Sequence, residues 1–336
     1  MNDLIKHYIL KYLGGSNAEV PLEALDDAAV INDIVLKSDS HVVKPVFFPG
    51  GDIGRLAVTG TVNDIAMLGA EPVALTSGFI LEEGLSIADF ERIVRSMGET
   101  CREAGVYVIT GDTKVVEKGS LEGCVINTSG IGKRSRALEE NLSIVKKYRP
   151  DFGGRWILDS NLRPRDKIIL SGTVGDHGLA VLSSREGYGF GSSIMSDVAP
   201  LNKVTQQLLS EAGGIVTMKD PTRGGLSNAL NEWSEKSEVG ILAFEERIPV
   251  RSDVRSACEM LGIDPLEVGN EGKVVLGVVP EKADEVLNML RETKEGKNAE
   301  IIGEATSQFK EVALQTVVGG RRILMPPIGD PIPRIC

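Results

Sequence analysis

Short apolar runs of strand length punctuate this chain at residues 34–36, 106–110, 125–127, 168–170, 215–218, 241–244 and 274–279. Between them the apolar positions shift to helical spacing. The clearest case is 86–104, where Phe90, Ile93, Val94, Met97 and Cys101 form one stripe, Ser86 and Asp89 stand at capping-box spacing, and Gly105 supplies a stop. Further helices are predicted over about 54–68, 224–234 and 280–292, the last with Ala283, Val286, Leu287 and Leu290 on one side. Near the start, Leu4, Ile5, Tyr8, Ile9 and Tyr12 make an apolar pattern suited to a helix packed on the body or against a partner. Strands and helices mixed in this way predict an α/β fold with mixed, α+β-like sheets.

A chain of 336 residues exceeds the usual size of a single core, so two domains are expected. The stretch 148–165, with two prolines and a Gly-Gly pair, reads as a change of unit, although Trp156, Ile157 and Leu158 suggest that it is packed down. We therefore expect an N-terminal domain over 1–155, a second α/β domain over 156–324 and an arm over 325–336. Pro326, Pro327, Pro331 and Pro333 bar that last segment from a helix or a sheet centre and predict an extended arm.

Composition narrows the classes. Hydrophobic residues at 42%, charged residues at 25% and a mean hydropathy of -0.01 are the balance of a chain with an ordinary core. A net charge of -11 argues against a nucleic-acid partner. It also means that a triphosphate held by carboxylates needs divalent cations between the two. No apolar run approaches the roughly 20 residues of a membrane span, and the opening residues lack the pattern of a signal peptide, so we expect no membrane association and a cytoplasmic protein. Of the four cysteines, Cys101, Cys124 and Cys258 sit in apolar patterns as small hydrophobes, whereas Cys336 stands outside any such pattern on the proline-stiffened tether.

Several aspartates flank glycines or follow apolar runs: Asp26, Asp27, Asp39, Asp64, Asp112 and Asp220. Each alone is compatible with a turn or cap. Asp64 is harder to dismiss, because Val62, Ile65, Ala66 and Leu68 place it in an apolar helical run where an inward carboxylate needs a cation or donors. Gly-rich stretches at 49–54, 172–178 and 224–225 each precede a predicted helix, where free N–H groups could cradle phosphate. None has the Gly-Lys-Ser/Thr of a Walker loop or the context of a dinucleotide fingerprint.

In combination these motifs resemble the superfamily of ATP-using enzymes that includes aminoimidazole ribonucleotide synthetase, selenophosphate synthetase and thiamine-monophosphate kinase. Within it they are most similar to the hydrogenase maturation carbamoyl dehydratases, the HypE family. The resemblance covers essentially the whole chain, through residues 26–29, 61–67, 111–116, 220–225, 270–273 and the terminal Pro333-Arg334-Ile335-Cys336. It implies a two-domain aminoimidazole ribonucleotide synthetase-like fold, with 1–155 as the ATP-binding and dimerisation domain, and a homodimer paired through the N-terminal sheets. It further implies ATP with Mg2+ held by Asp27, Asp39, Asp64, Asp112 and Asp220, with His41, Lys114 and Gly224 as further ATP contacts. The implied reaction dehydrates an S-carbamoyl group on Cys336 to a thiocyanate as ATP goes to ADP and phosphate. Glu271 is the implied proton acceptor, assisted by Lys133. A partner carbamoyltransferase loads the thiol, and a hydrogenase maturation scaffold complex takes the cyano group towards the iron of a [NiFe] hydrogenase. Lys133 is equally read as a surface lysine after a strand, and His41 as a solvent-facing loop residue. The competing readings are a selenophosphate synthetase-like or thiamine-monophosphate kinase-like enzyme, and a nucleotide-binding scaffold whose tail docks a partner. The selenophosphate synthetase reading is weakened because no cysteine precedes Cys101, and the kinase reading leaves the proline-rich arm and Cys336 without a purpose.

Overall fold

The computed structural model describes residues 4–187, 194–327 and 329. Two mixed sheets organise the chain. The first contains β1 (Ala29–Ile31), β2 (Ile34–His41), β3 (Glu71–Glu82), β4 (Tyr107–Val116) and β5 (Cys124–Lys133), in the spatial order β1-β2-β5-β3-β4. All its pairs are antiparallel except β3 with β4, which is the parallel pair that a crossover helix allows. That helix is α2 (Ile87–Ala104). Its Ser86 side chain accepts the N–H of Asp89, and its end is closed by Gly105 at φ 78°, as the capping pattern predicts. Helix α1 (Ile53–Met67) packs across β2 and β5 on the inner face of the sheet.

After α3 (Arg136–Tyr148), the second sheet takes the order β12-β11-β8-β10-β6-β9-β7. Its strands are β6 (Lys167–Leu170), β7 (Ile215–Lys219), β8 (Gly240–Phe244), β9 (Val275–Val278), β10 (Glu300–Thr306), β11 (Val312–Gln315) and β12 (Arg321–Ile323). Helices α5 (Gly225–Ser237) and α7 (Ala283–Glu292) pack against it, while α4 (Asp176–Glu186) and α6 (Ser252–Leu261) pack against each other. One core runs continuously from Val30 and Val35 through Ile65 and Leu138 to Ile168 and Leu276, so the two sheets share buried apolar surface. A second core joins Ile53, Val58, Ile93 and Met97 to Leu179 and Val254. No helix among the described residues is long and apolar enough to cross a membrane.

The predicted apolar runs mark real strands, and most of them fall short of the strand's full length. Strand β2 continues from Leu36 through polar residues to His41, and β4 continues to Val116. Here the hydrogen-bonded ladder to a neighbour, rather than side-chain burial, carries the strand forward. Strands β1, β3, β10, β11 and β12 and helix α3 have no counterpart in the apolar pattern.

Candidate functional site: an acidic cleft between the two sheets

Strand β2 alternates. Val35, Lys37, Asp39 and His41 face α1, while Ile34, Leu36, Ser38 and Ser40 point outward. Asp64, on the face of α1 turned to β2, meets this row. Its Oδ2 lies 2.5 Å from Lys37 Nζ, which is also 3.3 Å from Asp39 Oδ1. The Thr61 hydroxyl donates to Asp39 Oδ2 at 3.1 Å. His41 Nε2 stands 3.2 Å from Thr128 Oγ1, and the ring packs so closely on Gly60 that a Cβ there would lie 2.8 Å from its Cε1. His41 is thus buried rather than a solvent-facing loop residue, and burial holds its imidazole down to about 4, neutral at physiological pH.

The second sheet supplies the opposite wall. Strand β7 is buried along its whole length yet ends in Lys219, whose ammonium bonds Asp27 at 2.7 Å and Asp159 at 3.0 Å and lies 3.1 Å from Glu232. A lysine inside a buried strand requires such partners. Burial works against its charge, but Asp159 and Asp27 more than restore it. Asp220 follows at once, and Asn270 fixes the loop that carries it. The Asn270 backbone N–H donates to the Pro221 carbonyl at 3.0 Å, and its Oδ1 accepts the Gly175 N–H at 2.8 Å. Glu271 comes next in the chain and is itself buried against the cleft.

The result is a cavity of 320 Å³ lined by Asp26, Asp27, Lys37, Asp39, His41, Asp64, Lys219, Asp220, Arg223 and Glu271, among others. Asp27, Asp64 and Asp220 bring one carboxylate oxygen each within 4.8 Å of one another. Asp220 Oδ2 is buried without a hydrogen-bond partner. Burial pushes the Asp64 and Asp220 carboxyls well above the usual range, and neighbouring carboxylates push further. Asp27 is raised mainly by burial, and Asp26 is brought up to about 6 by burial and by Asp159. Three converging hard oxygens, together with an unpartnered carboxylate oxygen on Asp220, fit a divalent cation.

The other expected site residues fall elsewhere. Asp112 and Lys114 lie on the exposed edge strand β4, outside the cleft of their own chain. Lys133 ends β5 on the outward face, 3.2 Å from Glu71, and does not line the cleft. Cys336 lies outside the described residues, but the start of its arm does not. The Ser227 hydroxyl donates to the Met325 carbonyl at 2.7 Å, and the Asn231 amide donates to the Leu324 carbonyl at 2.9 Å. Gly224, at φ 77°, has Pro327 so near that a Cβ would lie 3.1 Å from its Cγ. The arm therefore leaves along the first turns of α5, at the rim where Arg223 and Gly225 line the cavity.

In two of the three Gly-rich stretches an N–H at the start of the following helix is already taken by a side chain. At 49–54 the Asp52 side chain accepts the Arg55 N–H and caps α1 itself. At 172–178 the Gly175 N–H is taken by Asn270. Only 224–225 borders the cleft. Sequence reasoning passed over Lys37, Lys219, Asp159 and Glu232. Signals existed for two of them: Lys37 is two residues from Asp39 on an alternating strand, and Lys219 closes an apolar one. Asp159, reached by Lys236 at 2.7 Å and by Trp233 at 2.8 Å, depends on long-range packing that no spacing announces.

The chain is similar to known proteins over most of its length. Residues 25–133 match the AIR synthase related protein N-terminal domain, and residues 163–314 match its C-terminal domain. The chain is 51% identical over its full length to a putative hydrogenase expression/formation protein of Methanocaldococcus jannaschii, covering 96% of that relative. It is 46% identical to the carbamoyl dehydratase HypE of Azotobacter vinelandii, over 90% of this chain and 84% of that one. Among solved structures, HypE in a HypE–HypF complex superposes with a TM-score of 0.86 at 44% identity, covering 96% of this chain and 99% of the other. HypE in complex with ATP gives 0.83 at 41% identity, covering 100% and 96%. The thiamine monophosphate kinase of Aquifex aeolicus, at 18% identity and a TM-score of 0.62, shares the fold alone. With two domain models matched in order and such identity over nine-tenths of its length, the chain belongs to the HypE carbamoyl dehydratases of the AIR synthase related family.

Proposed function

We propose that this chain uses ATP to dehydrate an S-carbamoyl group on Cys336 to a thiocyanate, which supplies the cyanide ligands of a [NiFe] hydrogenase iron. The observation that carries the reading is the cleft itself: converging carboxylates raised by burial, at whose rim the C-terminal arm is anchored. Relatives whose names carry this activity, and one solved with ATP, support it.

A carbamoyl oxygen is a poor leaving group. Its attack on the γ-phosphorus releases ADP and turns the oxygen into part of a phosphate. Loss of that phosphate, with removal of the two N–H protons, leaves the C≡N triple bond on sulfur. Glu271, buried beside Asp220, is the proposed acceptor for a nitrogen proton. Asp27, Asp64 and Asp220, with Asp39 beside them, would hold Mg2+, which neutralises the developing phosphate charge. Lys219 positions Asp27, and Gly224 gives the arm room to pass.

The proposed assembly is a homodimer formed through the outward face of the first sheet. Ile34, Leu36, Val73 and Ile131 are each at least 40% exposed there, and β4 adds Tyr107, Ile109 and Val115. In such a dimer Asp112, Lys114 and Lys133 face the second subunit, and the first two reach its nucleotide from outside. The proposed partners are a carbamoyltransferase that loads Cys336, in keeping with the solved HypE–HypF complex, and a maturation complex that accepts the cyano group.

The test is to carbamoylate the protein with its carbamoyltransferase, add MgATP and weigh the Cys336 peptide. The expected outcome is loss of one water in the wild type and none in Asp220→Asn. An unchanged mass in the wild type would favour a nucleotide-binding scaffold.

A further inference from the structure

Lys37 occupies a position that a metal ion would want. Its ammonium lies 2.5 Å from Asp64 Oδ2 and 3.3 Å from Asp39 Oδ1, inside the cavity and on the same row of β2 as Asp39 and His41. The same Asp64 carboxylate also offers one oxygen to the converging set with Asp27 and Asp220. Mg2+ binds oxygens at about 2.0–2.1 Å in near-octahedral geometry, so an ammonium and a cation on one carboxylate would crowd and repel each other. Removing the ammonium without a replacement would leave buried carboxylates uncompensated. The lysine stem is long, and its side chain retains 23% exposure towards the cavity, so it has space to turn.

We propose that Lys37 is a resident counter-ion: it sits on Asp64 and Asp39 in the nucleotide-free cleft and yields them to the metal only when a triphosphate arrives to take its ammonium. This rests on the reading of the cleft as a metal–nucleotide site and adds a consequence to it. Divalent metal alone binds weakly because it must displace an ion pair that has nowhere to go. Metal with nucleotide binds well because the displaced ammonium gains a phosphate oxygen. Metal and nucleotide affinities are thereby coupled, reciprocally, through one side chain.

The experiment titrates Mn2+, followed by electron paramagnetic resonance, into dimeric full-length protein with and without a non-hydrolysable ATP analogue. In the wild type the analogue should tighten Mn2+ binding by about 100-fold. In Lys37→Met, which keeps the stem and removes the charge, Mn2+ alone should bind at least about 10-fold tighter than in the wild type, and the coupling should shrink to about 10-fold or less. Lys37→Gln provides the same comparison should the methionine variant fail to fold, and Lys37→Arg should retain the coupling. Equal Mn2+ affinity of wild type and Lys37→Met without nucleotide, or a wild type with no coupling, overturns the counter-ion role while leaving the nucleotide site intact. Failure of the wild type to bind Mn2+ even with the analogue overturns the metal–nucleotide reading itself.

Discussion

The two faces of strand β2 pose opposite problems. Towards α1 it presents Lys37, Asp39 and His41, charged and polar groups for which this chain supplies its own partners: Asp64, Thr61, Thr128 and the packed ring edge over Gly60. Away from α1 it presents Ile34 and Leu36, which with Val73, Ile131 and the residues of β4 form an apolar surface that the described part of the chain leaves uncovered. The inner face gathers more carboxylates than its burial favours, a strain that a divalent cation would relieve. The outer face exposes too much apolar area and an unpaired strand edge, and only another protein surface relieves that. One alternating strand thus separates the demand for chemistry from the demand for assembly.

That comparison breaks at the cleft first. Asp220→Asn removes the orphaned carboxylate oxygen while keeping its shape. Turnover of carbamoylated protein should fall by at least about 100-fold, with no loss of melting temperature in metal-free buffer, because a carboxyl that burial already disfavours as an anion has been made neutral. A large loss of stability would mean that Asp220 is structural.

The outer face is tested by Ile109→Lys on β4. A charge at this exposed position should weaken self-association by about 10-fold or more in sedimentation velocity, with a monomer as stable as the parent. If Asp112 and Lys114 reach the neighbouring cleft, activity should fall in step with dimer concentration and return at high protein concentration. Activity indifferent to dissociation would confine the site to one chain.

A smaller effect sharpens the electrostatic half. Asp26 has a folded pKa of about 6, above its ordinary 3.8, so between those values the folded protein binds the proton more readily than the unfolded chain. Its contribution is present below about pH 4 and is lost as pH rises through 6. Asp26→Asn lacks that loss. In urea unfolding the wild type should therefore weaken relative to the variant by roughly 1–3 kcal/mol across that window. A difference that is flat with pH would show that Asp26 is solvated.

How much of this was legible beforehand depended on whether the cause was local. Helix α2 was readable because its stripe, cap and glycine stop lie within twenty residues. Asp64 was readable because an aspartate on an apolar helical run announces a partner. Strand β3 was not, since Thr76, Ser77 and Gly78 interrupt its apolar residues and its place between β4 and β5 is fixed by pairing. The meeting of Asp27, Asp64 and Asp220 was expected only through resemblance to a family, because residues 37 to 193 positions apart in the chain carry no periodicity that links them. The assumption that every glycine-rich stretch before a helix is open to phosphate failed for the same reason: Asp52 and Asn270 had each already taken one of those N–H groups.

The central claim is that the carbamoyl oxygen on Cys336 leaves as part of a phosphate formed in this cleft. Loading the thiol with 18O-labelled carbamoyl and following a single turnover with unlabelled MgATP tests it directly. The account predicts that the label appears in inorganic phosphate, one atom for each thiocyanate formed. Label recovered in water, with ATP hydrolysed to unlabelled phosphate, would contradict it.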